Sequence, residues 1–160
     1  MVSKRRYWLM KSEPDVYSID DLQRDGVTSW EGVRNYQARN IMRDEMQLGD
    51  LVLFYHSNAK PPGVAGIGRI CKAAHPDLTA QDKASPYYDA KASEENPIWM
   101  LVDVEFIAKF PEFVSLDKLK QDDQLAGMLV CKRGMRLSVQ PVDARDFERV
   151  VALGNPKPSK

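Results

Sequence analysis

A chain of 160 residues fits a single domain. It would bury roughly 70% of its unfolded surface, so it needs neither a disulfide nor a metal to fold. Lysine and arginine together number 23, as do aspartate and glutamate, a balance that excludes nucleic-acid affinity spread over the whole surface by counterion release but leaves room for a local basic strip.

The opening Met1–Arg6 leads into only four apolar residues before Lys11. That is too short for a signal peptide, and no later run approaches membrane-spanning length, so a cytoplasmic chain with no membrane partner is expected. Tyr7–Met10 is predicted as a first strand, stopped at Lys11-Ser12-Glu13-Pro14 by a proline that cannot donate to a ladder. Ser18 caps a helix with Asp20 and Asp21 at its positive end, finished by Gly26. Val27–Trp30 is a brief strand, and Asn35 is a plausible N-cap for a helix running to Met46. On that helix Ala38, Ile41, Met42 and Glu45 form a core-facing stripe, with Tyr36, Arg39, Asn40 and Arg43 on another.

Gly49-Asp50 turns the chain into Leu51–His56, a strong strand, and Val64–Lys72 follows as another. Gly63, Gly66 and Gly68 mark it as bent or closely approached. Pro76–Asn96 is a long polar loop of the kind that tends to be functional. Its Ser85–Asp89 stretch either folds over a pocket or merely covers the fold. Strand character returns at Ile98–Phe110, then a capped turn at Ser115–Lys120, a last strand at Arg136–Val142 and a terminal helix at Asp143–Ala152. Short strands of mixed spacing between short helices favour an α+β barrel over a parallel sheet. One domain over residues 1–154 is expected, with 155–160 a flexible tail. Cys71 and Cys131 match no metal spacing and read as reduced thiols.

The stretch Trp30-Glu31-Gly32-Val33-Arg34-Asn35-Tyr36-Gln37-Ala38-Arg39-Asn40 carries the chemistry. An indole before a glycine, planar hydrogen-bonding groups and arginines on a helix suit a flat polar ligand such as a nucleobase. Together with Tyr7–Pro14 and Leu53–Asn58, this stretch closely resembles the EVE domain family. Gly63–Gly68, Trp99–Phe110 and Arg133–Pro141 extend the resemblance from about Tyr7 to about Leu153. The resemblance implies a PUA-like β-barrel of about five to six strands with short flanking helices. It also implies kinship with YTH readers of methylated RNA and a pocket suited to a modified base.

Trp30 is the first candidate for a stacking wall; the competing reading is a buried core tryptophan. Lys11 and Ser12 end the first strand, and the equivalent position of the YTH fold carries a Lys-Ser pair beside its pocket, by resemblance. Ser12 would bond a base edge and Lys11 a phosphate, or the pair is an ordinary polar strand end. Asn35 offers a donor and an acceptor to a base edge, unless capping occupies it. Tyr36 and Tyr88 would complete the enclosure. Arg39 and Arg43 would flank phosphates, or form a solvated helix face. His56, Ser57 and Asn58 lie at a rim, and Arg136 is a candidate phosphate or edge contact. Trp8 and Trp99 read as core, with a smaller chance that Trp99 forms an opposite wall.

No Gly-rich phosphate loop or nucleophile elbow is present, no histidine has ligand spacing, and no cofactor or metal is expected. The function expected is a non-catalytic reader of a modified nucleobase, a methylated or otherwise modified cytosine or adenine, in DNA or RNA. Two alternatives stand beside it. One is a small amidohydrolase like some ASCH domains, although no matching threonine-glutamate arrangement is evident. The other is a protein-interaction module.

Overall fold

The computed structural model describes residues 5–156; the predicted tail lies outside them from residue 157 onward. Six strands and four helices run in the order β1 (Tyr7–Ser12), α1 (Ile19–Asp25), β2 (Val27–Ser29), α2 (Tyr36–Asp44), β3 (Leu51–His56), β4 (Gly63–Pro76), β5 (Met100–Ser115), α3 (Leu116–Gln121), β6 (Val139–Val142) and α4 (Ala144–Gly154). The strands form one mixed sheet, ordered β2-β5-β4-β3-β1-β6. Only β1 and β3 pair in parallel; the other four pairings are antiparallel. The α+β class and the strand number agree with the sequence expectation.

Side chains alternate across a strand, and here both faces of the central strands are covered. Trp8 and Met10 of β1 and Val52 and Phe54 of β3 pack with Ile19 and Leu22 of α1 and Ala38, Ile41 and Met42 of α2. Their neighbours Leu9, Leu53 and Tyr55 face the other way, into a second core with Leu119 of α3 and Phe147 and Val150 of α4. Burial on both sides explains why β1 and β3 are almost uninterrupted apolar runs. Each such large side chain contributes about 1.5–3 kcal/mol on leaving water. The helix stripe divides as its spacing demands, except that Glu45 is exposed and Met46 takes the buried place.

Local signals set the helix starts. The Ser18 hydroxyl accepts from the Asp21 amide while the Asp21 carboxylate accepts from Ser18, a reciprocal capping box. Asn35 Oδ1 accepts from the Ala38 amide at 2.9 Å, and Ser115 caps α3. A Cβ on Gly66 would collide with the Ala108 carbonyl oxygen of β5, so the bare backbone permits the close approach of β4 and β5.

Several bounds differ from expectation by one or two residues, among them the ends of β1 at Ser12 and of α2 at Asp44, and three differ by more. Strand β4 continues to Pro76, and β5 runs to Ser115 through Pro111. That proline is tolerated because the register jumps there, from Gly66 opposite Lys109 to Val64 opposite Val114, so no ladder donor is required of it. Strand β6 begins only at Val139; the residues before it border the cleft described next.

Candidate functional site

An open cleft of about 1040 Å³ lies over one end of the sheet, the size of a small-ligand site (roughly 300–1,000 Å³) at its upper limit. Its walls are Lys11 and Ser12 at the end of β1, Glu13, Val16 and Tyr17 in the following turn, Thr28 through Arg34 around the exit of β2, Ser57 and Asn58 after β3, Tyr87 from the long loop, and Met135, Arg136 and Ser138 ahead of β6.

Trp30 is both core and wall. Its amide donates to the Val102 carbonyl at 2.9 Å, extending the β2–β5 pairing by one residue. Its indole meets Phe54 edge-on, with centroids 5.4 Å apart at 76°. Only 7% of the residue is exposed, yet it borders the cleft. The residue is thus mainly core, the competing sequence reading, while it also stands in the lining of the cleft.

Beyond it the chain turns at Gly32, whose φ of 87° favours glycine. The Gly32 amide donates to Asp77 Oδ2 at 2.9 Å. Arg34 then fastens the long loop to this turn. Its guanidinium donates twice to the Tyr87 carbonyl, at 3.0 and 2.7 Å, and to Asp77 Oδ2 at 3.1 Å. Asp77 is buried and also accepts from the amide and hydroxyl of Thr79. Burial alone would push its carboxyl up; the hydrogen bonds from Thr79, Gly32 and Arg34 outweigh that and hold it below the usual carboxylate range.

Lys11, Ser12, Asn58 and Arg136 make another part of the lining cationic and polar. Partial burial lowers the Lys11 pKa, and its ammonium donates to the Met135 carbonyl at 3.3 Å. The Ser12 hydroxyl donates to the Tyr17 carbonyl at 2.6 Å, leaving its oxygen lone pairs as acceptors. Asn58, at φ 51°, donates from Nδ2 to Glu13 Oε1 at 3.4 Å. Arg136 is exposed at the rim.

Of the residues singled out in the sequence, the cleft gathers Lys11, Ser12, Trp30, Ser57, Asn58 and Arg136. The other five lie outside its walls. Asn35 caps α2. Tyr36 stacks on Trp99, centroids 4.8 Å apart at 26°. Arg39 donates to the Ile98 carbonyl and to Asn40 Oδ1. His56 Nε2 accepts from the Ile19 amide at 3.1 Å, at the first turn of α1. Tyr88 is exposed, whereas its neighbour Tyr87 borders the cleft. Gly32, Arg34 and Tyr87 were not selected from the sequence, although the first two sit inside the stretch that drew attention and Tyr87 is in the segment read as a possible pocket cover. Among the described residues no cluster of His, Cys, Asp and Glu could hold a metal ion, and no helix is long and apolar enough to cross a membrane.

The chain belongs to the EVE domain family, whose pattern matches residues 6–153. A crystal structure of a Pseudomonas syringae protein superposes with a TM-score of 0.89 at 51% identity, covering 92% of this chain and 99% of that one. Human THYN1, crystallised in complex with DNA containing 5-methylcytosine, superposes with a TM-score of 0.87 at 42% identity, covering 96% of this chain and 99% of that one. Human thymocyte nuclear protein 1 is 42% identical over 172 aligned residues, an alignment spanning 96% of this chain and 76% of the human protein.

Proposed function

We propose that the chain is a non-catalytic reader that seats a modified nucleobase of DNA or RNA in the cleft beside Trp30, with 5-methylcytosine in DNA as the favoured ligand. One coincidence carries this reading. A cleft lined by Trp30, Lys11, Ser12 and Arg136 together occurs in a chain 42% identical to a protein crystallised with 5-methylcytosine DNA.

The roles follow from the geometry. Trp30 offers an aromatic surface already immobilised by Phe54, so stacking costs little ordering; base stacking is worth about 1–3 kcal/mol. The Ser12 oxygen can accept from an exocyclic amine. Lys11 and Arg136, cations in the same lining, would meet a phosphate next to the base. Extruding that base costs a few kcal/mol, which a preformed pocket offsets. A buried methyl group adds about 0.8 kcal/mol, close to fourfold in affinity, so shape and edge contacts must supply further discrimination.

The test is a binding panel of matched oligonucleotides, DNA and RNA, with and without a single 5-methylcytosine, using the wild type, Ser12→Ala and Trp30→Phe. Preference for the modified strand, diminished in both variants while their folds persist, is the expected result. Equal binding of both strands by the wild type removes the reading.

A further inference from the structure

From the edge of the cleft outward, aromatic rings and guanidinium groups form a continuous series. Tyr87 borders the cleft, and the Arg34 carbon Cζ lies 5.7 Å from its ring centroid. The same Cζ lies 5.3 Å from the Trp99 centroid, and Tyr36 stacks on Trp99 at 4.8 Å. Trp99 is held in place by its indole N–H, which donates to Asp89 Oδ2 at 2.8 Å. Arg39 stands beside the far end, 4.8 Å from the Tyr36 centroid and 5.9 Å from that of Trp99. Arg39 therefore makes its cation–π contact at the Tyr36 end of the pair, well off the line joining the two centroids.

The ladder thus ends on an exposed ring. Tyr36 is 56% exposed, although a tyrosine stacked on tryptophan could have been covered by the helix that bears it. The side-chain acceptor of Arg39 is the neutral amide of Asn40, and its other acceptor is a backbone carbonyl. Among the described residues no carboxylate pairs with it directly, although Asp44 of the same helix feels its charge, so the guanidinium can still meet an anion. A half-exposed tyrosine ring beside a guanidinium without a direct carboxylate partner suits a nucleotide, with the base on the ring and the phosphate beside the cation. A flat face without groove-like walls does not read a sequence.

We infer that the Tyr36–Arg39 end of this ladder is a second nucleotide site. There the strand whose modified base occupies the cleft stacks a neighbouring, unpaired base on Tyr36 and sets a phosphate against Arg39. This rests on the cleft reading given above and deepens it: the ligand is a single-stranded or locally opened stretch of several nucleotides, not an isolated base. Arg34 links the two sites mechanically, since it holds the Tyr87 carbonyl and contacts Trp99 beneath Tyr36.

The experiment compares two probes: free 5-methyldeoxycytidine, followed by NMR chemical shifts, and a single-stranded DNA oligonucleotide carrying one central 5-methylcytosine, followed by fluorescence anisotropy. The proteins are the wild type, Tyr36→Ala, Tyr36→Phe and Arg39→Gln. Tyr36→Ala should weaken the oligonucleotide about tenfold or more and leave the nucleoside within twofold. Tyr36→Phe should restore oligonucleotide affinity, and Arg39→Gln should lower it with a shallower salt dependence. Oligonucleotide affinity unchanged by Tyr36→Ala, with nucleoside binding retained, overturns the second site alone. Parallel loss of both probes would place Tyr36 in the cleft and also overturn it. A wild type that binds neither probe removes the cleft reading and this inference together.

Discussion

Tyr87 presses its ring against the bare Cα of Gly32, so closely that a Cβ there would stand 2.7 Å from Tyr87 Cζ. The contact joins the turn after Trp30 to a loop more than fifty residues further along the chain, and both partners border the cleft. Gly32 is constrained twice, by its positive φ and by the ring.

Gly32→Ala should accordingly lose about 2–3 kcal/mol of stability, part from backbone strain and part from displacing the ring. Made in a Tyr87→Ala background, the same change should cost only the backbone share, about 1 kcal/mol. Urea denaturation of the four proteins measures the difference. Identical costs in both backgrounds would show that the ring does not constrain residue 32.

Arg34→Ala should be more damaging. It removes two bonds to the Tyr87 carbonyl and one partner of the buried Asp77 carboxylate. A loss of about 2–4 kcal/mol is expected, with amide exchange accelerated through the loop that carries Tyr87. Arg34→Lys should recover less than half of it, because an ammonium cannot span the carbonyl and the carboxylate with one rigid fork.

Stability should also fall in mild acid through His56. Burial lowers its pKa, the nearby Asp20 and Lys109 opposing one another, and Nε2 must be unprotonated to accept from the Ile19 amide. Above the ordinary imidazole value, near 6.5, both folded and unfolded chains are neutral at this residue and its contribution is complete. As pH drops, the unfolded chain takes up the proton first. The contribution shrinks until the folded pKa is passed and then levels off. Denaturation midpoints at intervals between pH 7.5 and 5 should decline more steeply for the wild type than for His56→Gln.

Arg136 is exposed, so Arg136→Ala should change stability by less than about 0.5 kcal/mol. Oligonucleotide affinity should fall, and the slope of log affinity against log salt should drop by about 1 if the side chain meets one phosphate. An unaltered slope would remove Arg136 from the proposed interface.

Where a feature depends on neighbours in the chain, it could be read in advance. Strand β3 has the predicted bounds, Leu51–His56, because a buried apolar run between a Gly-Asp turn and a polar rim leaves little choice. Ser18 and Asn35 cap helices as their residue types suggest. For Asp77, Arg34 and Tyr87 the segments drew attention but the pairing left no such trace. Their contacts span 43 and 53 residues, with no periodicity or motif to announce them, and the loop that supplies two of them looks only polar. The same limit explains Tyr36. Its helical position placed it beside Trp30 in sequence, whereas the turn at Gly32 swings it onto Trp99.

The walls of the cleft come from the two ends of the chain and three places between, from Lys11 through Tyr87 to Ser138. No short fragment holds them together, so the hollow exists only while the entire sheet is assembled. Whatever settles there must weight the equilibrium toward the native chain, by about 2.7 kcal/mol at a hundredfold excess over its dissociation constant. Heating the protein with one candidate nucleoside after another would then rank them by the rise in melting temperature, with no label and no assumption about which modification the cleft prefers.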